Sequence, residues 1–159
     1  MFDDEPFAAA VAAARFVDLF EGRDPAACEA PWAVEPLPGV VTDEGESADE
    51  LIGVVGVWRT TFEPPFRYRG EHCHEIGWRL AREWWGRGLV TEAAATCLQH
   101  ARTLGIPEVV AFTSVGNRRS RAVMERLGMR RDDSADFDHP RVREGDPRRQ
   151  HVVYRTNWG

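Results

Sequence analysis

A period of two residues marks the run from His74 to Ala81, where Glu75, Gly77 and Arg79 fall on one side and Ile76, Trp78 and Leu80 on the other. That is the strand signature. Leu51 to Phe62 is the clearest strand in the chain, with β-branched residues around Gly53 and Gly56. Glu108 to Ser114 reads as a buried strand, Gln150 to Thr156 as the last one, and Trp32 to Pro36 as a short one. Three stretches carry helical spacing and composition instead. They are alanine-rich Pro6 to Phe20, Thr91 to Leu104, and Asn117 to Met129, which ends at Gly128. Gly105-Ile106-Pro107 stops the second of these helices. Gly22 to Pro31 is a break, Pro38 to Asp49 an acidic hairpin loop, Glu63 to Phe66 a loop, and Asp132 to Gly145 a polar, charged connection. The order is helix, antiparallel strands, then strand–helix–strand–helix–strand, which predicts an α/β (α+β) fold with residues 1–159 as one domain.

The junction between the second clear strand and the central helix is the most informative place. Trp85, Gly86, Arg87, Gly88, Leu89 and Val90 form a tight loop running into the helix start. Backbone N–H groups at a helix N-terminus point outward and the helix dipole favours an anion there. The glycines allow close approach of the backbone, and Arg87 adds a cation. A pyrophosphate suits such a place, and so does a plain turn with no ligand at all. Neither G-x-x-x-x-G-K-[ST] nor G-x-G-x-x-G is present.

The loop resembles the acetyl-CoA loop of the GCN5-related N-acetyltransferases (GNAT), whose pattern is Q/R-x-x-G-x-G/A. Trp85 stands at the first position, Gly88 at the fixed glycine and Val90 at the last. Trp85 and Val90 depart from the general pattern, yet W-G-R-G-L-V-T-E-A is similar to the form in the branch of ribosomal-protein N-terminal acetyltransferases (RimJ/RimL). Asn117 to Met129 resembles the N-x-x-S helix of that family, and Asp136 to Pro140 and His151 to Tyr154 resemble the closing segment of one bacterial branch. The likeness runs from about Trp32 to about Trp158. It implies a mixed, mostly antiparallel central sheet, splayed at the acetyl-CoA site and flanked by helices. Members usually open with an extra strand and helix, and nothing like that precedes Phe7. The expectation is a missing first strand, with a late start or a partner chain supplying the edge; an uncovered edge favours pairing, so a homodimer is expected.

The resemblance implies direct acetyl transfer from acetyl-CoA to a primary amine, either a protein N-terminus or a small molecule. The amine must be neutral, the thioester carbonyl polarised and the departing thiolate protonated. Glu75, at the start of the strand leading into the loop, is the candidate base; a solvated strand-end carboxylate is the plain alternative. Many relatives carry a tyrosine as acid one turn after the N-x-x-[AS] step, where this chain has Met124, which donates no proton. Ser120 is the candidate to hydrogen-bond the thiolate, or an early-helix residue bonding backbone; Tyr154 is a remote substitute. By the same resemblance Trp78 and Leu80 offer backbone groups to pantetheine, as an added strand does. Thr91 caps the central helix or touches a phosphate. Asn117 caps its own helix and is placed near the cofactor arm. Arg121, with Arg87 and Arg118, is a candidate for the phosphates. Trp84 and Trp85 read as packing residues, and His139 and its neighbouring aspartates as an acceptor-cleft lining or a turn.

Composition narrows the classes. A formal net charge of −6 argues against generic nucleic-acid binding. Three cysteines in no paired spacing suggest reduced thiols and a cytoplasmic protein. The acidic N-terminus is unlike a secretory signal, and no apolar run spans a bilayer. His72-Cys73-His74-Glu75 invites a metal reading, but Cys73 points away from the two histidines and structural zinc takes four ligands, so no metal is expected. The alternative to an enzyme is a non-catalytic acyl-CoA-binding module with a sensing or assembly role. A bare phosphate- or nucleotide-binding domain is a third reading.

Overall fold

The computed structural model describes residues 22–35, 51–67 and 72–158. The expected helix from Pro6 to Phe20, the loop from Pro38 to Asp49 and the question of a preceding strand lie outside them. The described residues form six strands and two α-helices in order: β1 (Pro31–Val34), β2 (Gly53–Arg59), β3 (His74–Leu80), α1 (Leu89–Thr103), β4 (Val109–Ser114), α2 (Arg118–Arg126), β5 (Arg130–Asp138) and β6 (Gln150–Arg155). The strands form one sheet in the order β1-β2-β3-β4-β6-β5. Every neighbouring pair is antiparallel except β3 and β4.

Apolar side chains on each face of the sheet explain the layers. On one face Val55, Val57, Ile76, Val109, Ala111 and Tyr154 pack under Ala94, Leu98 and Ala101 of α1 and Met124 of α2. On the other, Phe66, Val110, Phe112, Phe137 and Val153 gather, with no helix of the described residues in their cluster. Phe62, from the segment after β2, meets Phe112 edge-on with ring centres 5.6 Å apart and stacks on Phe137 at 5.9 Å. β4 is buried along its whole length, as expected of a central strand covered on both faces. Gly56 has a specific cause: a Cβ there would meet Pro31 Cα of β1 at 2.5 Å. β1 lies that close because the position is bare.

One expected connection is a strand. The segment from Asp132 to Gly145 reads as polar linker, yet β5 occupies Arg130–Asp138 and pairs with β6. It is an edge strand, so its outer side chains remain polar. Its register shifts between Asp132 and Phe137, which interrupts the alternation that reveals a strand. Its charges are paired across to β6 and along the strand itself: Arg155 Nε donates to Asp132 at 2.6 Å, and Arg131 to Asp136 at 2.6 Å. Cys28, Cys73 and Cys97 are all buried. No helix of the described residues is long and apolar enough to cross a membrane.

Candidate active site

The parallel pair at the centre of the sheet opens into a fork. β3 pairs with β2 along its full length, from Arg59 opposite His74 to Gly53 opposite Leu80. Towards β4 it pairs at two positions, His74 with Val109 and Glu75 with Val110. Beyond Glu75 the two strands part, and β4 continues with β6 as its partner. A cleft of about 1090 Å³ opens beside the parted end of β3, lined by that end, the loop and first turn of α1, and one face of α2 with the residues before it; β4 and Glu75 are not among its lining.

The loop is built as its glycines predict. Gly86 and Gly88 both take left-handed backbone angles, φ 78° and 81°. Gly88 is the N-cap of α1 and supplies no side-chain cap. The first helical bond runs from Glu92 N–H to the Gly88 carbonyl at 3.1 Å. The N–H groups of Leu89, Val90 and Thr91 therefore precede the helical ladder, and these residues line the cleft with Gly86, Arg87 and Gly88. Trp78, Leu80 and Trp85 line it as well. The Leu80 carbonyl, expected to face a ligand amide, accepts the indole N–H of Trp85 at 2.8 Å.

Five arginines border the cleft: Arg79, Arg87, Arg118, Arg119 and Arg126. Two of them lie over the tryptophans, Arg87 above Trp84 at 5.1 Å and Arg119 above Trp85 at 4.8 Å. The tryptophans thus serve as platforms for cations as well as packing residues. Arg121 is elsewhere. Its Nε donates to the Tyr154 hydroxyl at 3.3 Å and its Nη1 to the Val115 carbonyl at 3.2 Å, on a different face of α2. Sequence reasoning passed over Arg119 and Arg126. Their signal was helical spacing, since residues 122 and 123 stand three and four after 119, residue 126 stands three and four after them, and all share the cleft face.

Asn117 Oδ1 accepts from Ser120 N–H at 3.1 Å, capping α2, while its Nδ2 donates to Thr113 Oγ1 at 3.0 Å. Both Asn117 and Ser120 line the cleft. Met124 does not; it is wholly buried in the core beneath α2. Tyr154 is also buried, with its hydroxyl donating to Glu125 at 3.0 Å while accepting from Arg121. The tyrosine thus has its proton committed within a structural network.

Glu75 lies at the apex of the fork, at the last paired position. It is buried, and Trp58 Nε1 donates to its Oε1 at 2.6 Å. Its Oε2 has no hydrogen-bond partner among the described residues. Burial pushes the carboxyl up to about 7, although the Trp58 bond and the positive charge of Arg141 act in the opposite direction. A carboxyl poised there exchanges protons near neutral pH. Nothing in its own strand announced Trp58, which the β2–β3 register brings opposite Glu75.

His139 and His151 lie on the same side of the sheet as the aromatic cluster, with ring centres 4.8 Å apart. Burial lowers His139 to about 3 and His151 to about 4, so both are neutral. They are packed against Phe112 and Phe137 rather than set in the cleft. His72 contacts Glu63 at 3.2 Å, and the described residues contain no cluster of metal-binding side chains.

Comparison with known proteins adds a family. Residues 4–130 match the family model described as an acetyltransferase (GNAT) domain. The uncharacterized N-acetyltransferase YnaD of Bacillus subtilis is 32% identical over 99 residues, covering 62% of this chain and 51% of that protein. The FsC-acetyl coenzyme A-N(2)-transacetylase of Aspergillus fumigatus is 31% identical over 129 residues, covering 77% and 53% respectively. The chain thus spans about half the length of these curated relatives. Among solved structures, a putative GNAT-family acetyltransferase from Bordetella pertussis superposes with a TM-score of 0.62 at 23% identity, covering 97% of this chain and 83% of that one.

Proposed function

For a chain that belongs to the GNAT acetyltransferase family, we propose direct transfer of an acetyl group from acetyl-CoA to a primary amine. The observation that carries this reading is the fork itself. It sets an open strand edge, a helix N-terminus without a side-chain cap and five arginines around one cleft, while the buried Glu75 carboxyl stands at the last paired position of the fork, outside the lining of the cleft. The acetyl-CoA named in the Aspergillus relative is the donor this arrangement suits. Its pyrophosphate would lie on the N–H groups of Gly88 to Thr91 with Arg87, Arg118, Arg119 and Arg126 about it. Its pantetheine arm would run along the edge of β3 and bring the thioester towards Glu75.

The chemistry is then short. Glu75 Oε2 takes a proton from the acceptor ammonium, directly or through water. The freed amine nitrogen attacks the thioester carbonyl carbon; as the carbon–sulfur bond breaks, the nitrogen gives up its second proton, which passes to the departing thiolate through the Ser120 hydroxyl or water. Holding amine and thioester together supplies much of the rate. The acceptor is a protein N-terminal amine or a small amine. Met124 lies in the core and the Tyr154 proton is given to Glu125, so neither supplies the thiolate proton; among the described residues of the cleft, Ser120 offers a hydroxyl to relay it.

That no tyrosine stands among the described residues lining the cleft favours, as the second reading, a non-catalytic acyl-CoA-binding module. Calorimetric titration with acetyl-CoA, with ATP as control, tests the binding half. Selective binding at micromolar strength is expected, and equal binding of ATP overturns it. Glu75→Gln then separates enzyme from module: affinity is retained in both readings, and turnover on an amine panel falls only in the first.

A further inference from the structure

We propose that Trp58 is the positioning residue of the base, holding one carboxylate oxygen of Glu75 so that the other is presented to the incoming amine. This rests on the reading of Glu75 as the base. Trp58 stands directly opposite Glu75 in the β2–β3 register, so their side chains share a face of the sheet. Among the described residues the indole belongs to neither of the two large apolar clusters and packs with Ala30. Its Nε1–H is spent on Glu75 Oε1 at 2.6 Å. Oε2 is left buried and unbonded among the described residues, which is costly unless a donor arrives.

A neutral donor is the right chemistry for this task. An arginine or lysine in the same place would form an ion pair and make the carboxylate too weak a base at neutral pH. The indole fixes the rotamer and stabilises the anion only modestly. Other groups nearby leave that balance intact. Val110 faces Glu75 from β4. Arg141 acts from the turn after β5, with its guanidinium held by Thr61 Oγ1 at 3.1 Å. His74 points to the opposite face, and His139 and His151, further along the same face, are neutral.

The experiment pairs nuclear magnetic resonance with kinetics on the full chain. With indole nitrogens labelled, the Trp58 Nε1–H signal of the unmodified protein is expected to shift with pH near neutrality, and that titration is expected to vanish in Glu75→Gln. Trp58→Phe keeps a ring and removes the donor. Its kcat is expected to drop roughly tenfold, with the acid limb of the kcat/KM profile moved up by about half a pH unit or more, at unchanged KM for acetyl-CoA. If Glu75→Gln keeps full turnover, the base reading fails and this inference with it. If Glu75→Gln is inactive while Trp58→Phe keeps the limb of the original and the indole signal does not titrate, the base stands and the role of Trp58 is overturned. Should Trp58→Phe not fold, the indole titration in the unmodified protein decides alone.

Discussion

Glu75 is kept where water would serve it better. An ordinary carboxyl of this type ionises near 4.5, and burial moves this one to about 7. A folded pKa above the unfolded one means that the folded chain holds its proton longer. Stability from this group is therefore full below about 4.5 and is lost as pH rises towards 7. Glu75→Gln removes that loss, so its melting temperature at pH 8 is expected to exceed that of the original, by the equivalent of about 1–3 kcal/mol. Its turnover is expected to fall by roughly 10²-fold or more. A variant both steadier and slower is the mark of a site that spends stability on chemistry. An equal or lower melting temperature at pH 8 would show that the carboxyl is not strained by burial. At this scale the sequence offered Glu75, Ser120, Asn117 and the loop residues as candidates, because each sits inside a local pattern, and the structure brings all of these but Glu75 to the lining of the cleft. Trp58 was hidden, since its partner is seventeen positions away and only strand register joins them. Arg121 was misleading for the complementary reason: residue type named a cation, but the turn of α2 pointed it at Tyr154.

Among the elements, the loop into α1 is the one whose geometry leaves least freedom. Gly88 holds φ 81° at the N-cap, in open space where a Cβ would meet nothing within 4 Å. The cost of Gly88→Ala is thus backbone strain rather than collision, about 1 kcal/mol. Denaturant titration should read that loss, and affinity for CoA should drop several-fold because the cradle changes shape. Gly56→Ala is the contrasting case. There the obstacle is the backbone of β1, and a larger loss, about 1–3 kcal/mol, is expected. β2, β3, β4 and both helices were legible from periodicity and stop signals to within a few residues. β5 was not, because an edge strand with a broken register and cross-sheet ion pairs looks like a polar linker when read in one dimension. The fork was equally silent, since no residue pattern announces where two parallel strands stop pairing.

The molecule as a whole carries opposed proton balances. His139 and His151 are held neutral well below the usual 6.5, so the unfolded chain gains protons first as pH falls. Their contribution is lost between about 6.5 and their folded values near 4 and 3. Glu75 works the other way over part of the same range. Urea midpoints measured at pH 7 and 5 are expected to differ little in the original chain and to fall more steeply with acid in Glu75→Gln, where the histidines act unopposed. A parallel decline in both would remove the opposition. Finally, the two-position seam between β3 and β4 divides the sheet into one half of β1, β2 and β3 and another of β4, β6 and β5. A molecule wedged into the gap supplies the mortar that the seam lacks. A protease given to the free chain should cut on a clock set by the parting of the halves, and CoA should slow that clock in step with occupancy. The lifetime of such a chain then becomes a gauge of the thioester supply around it.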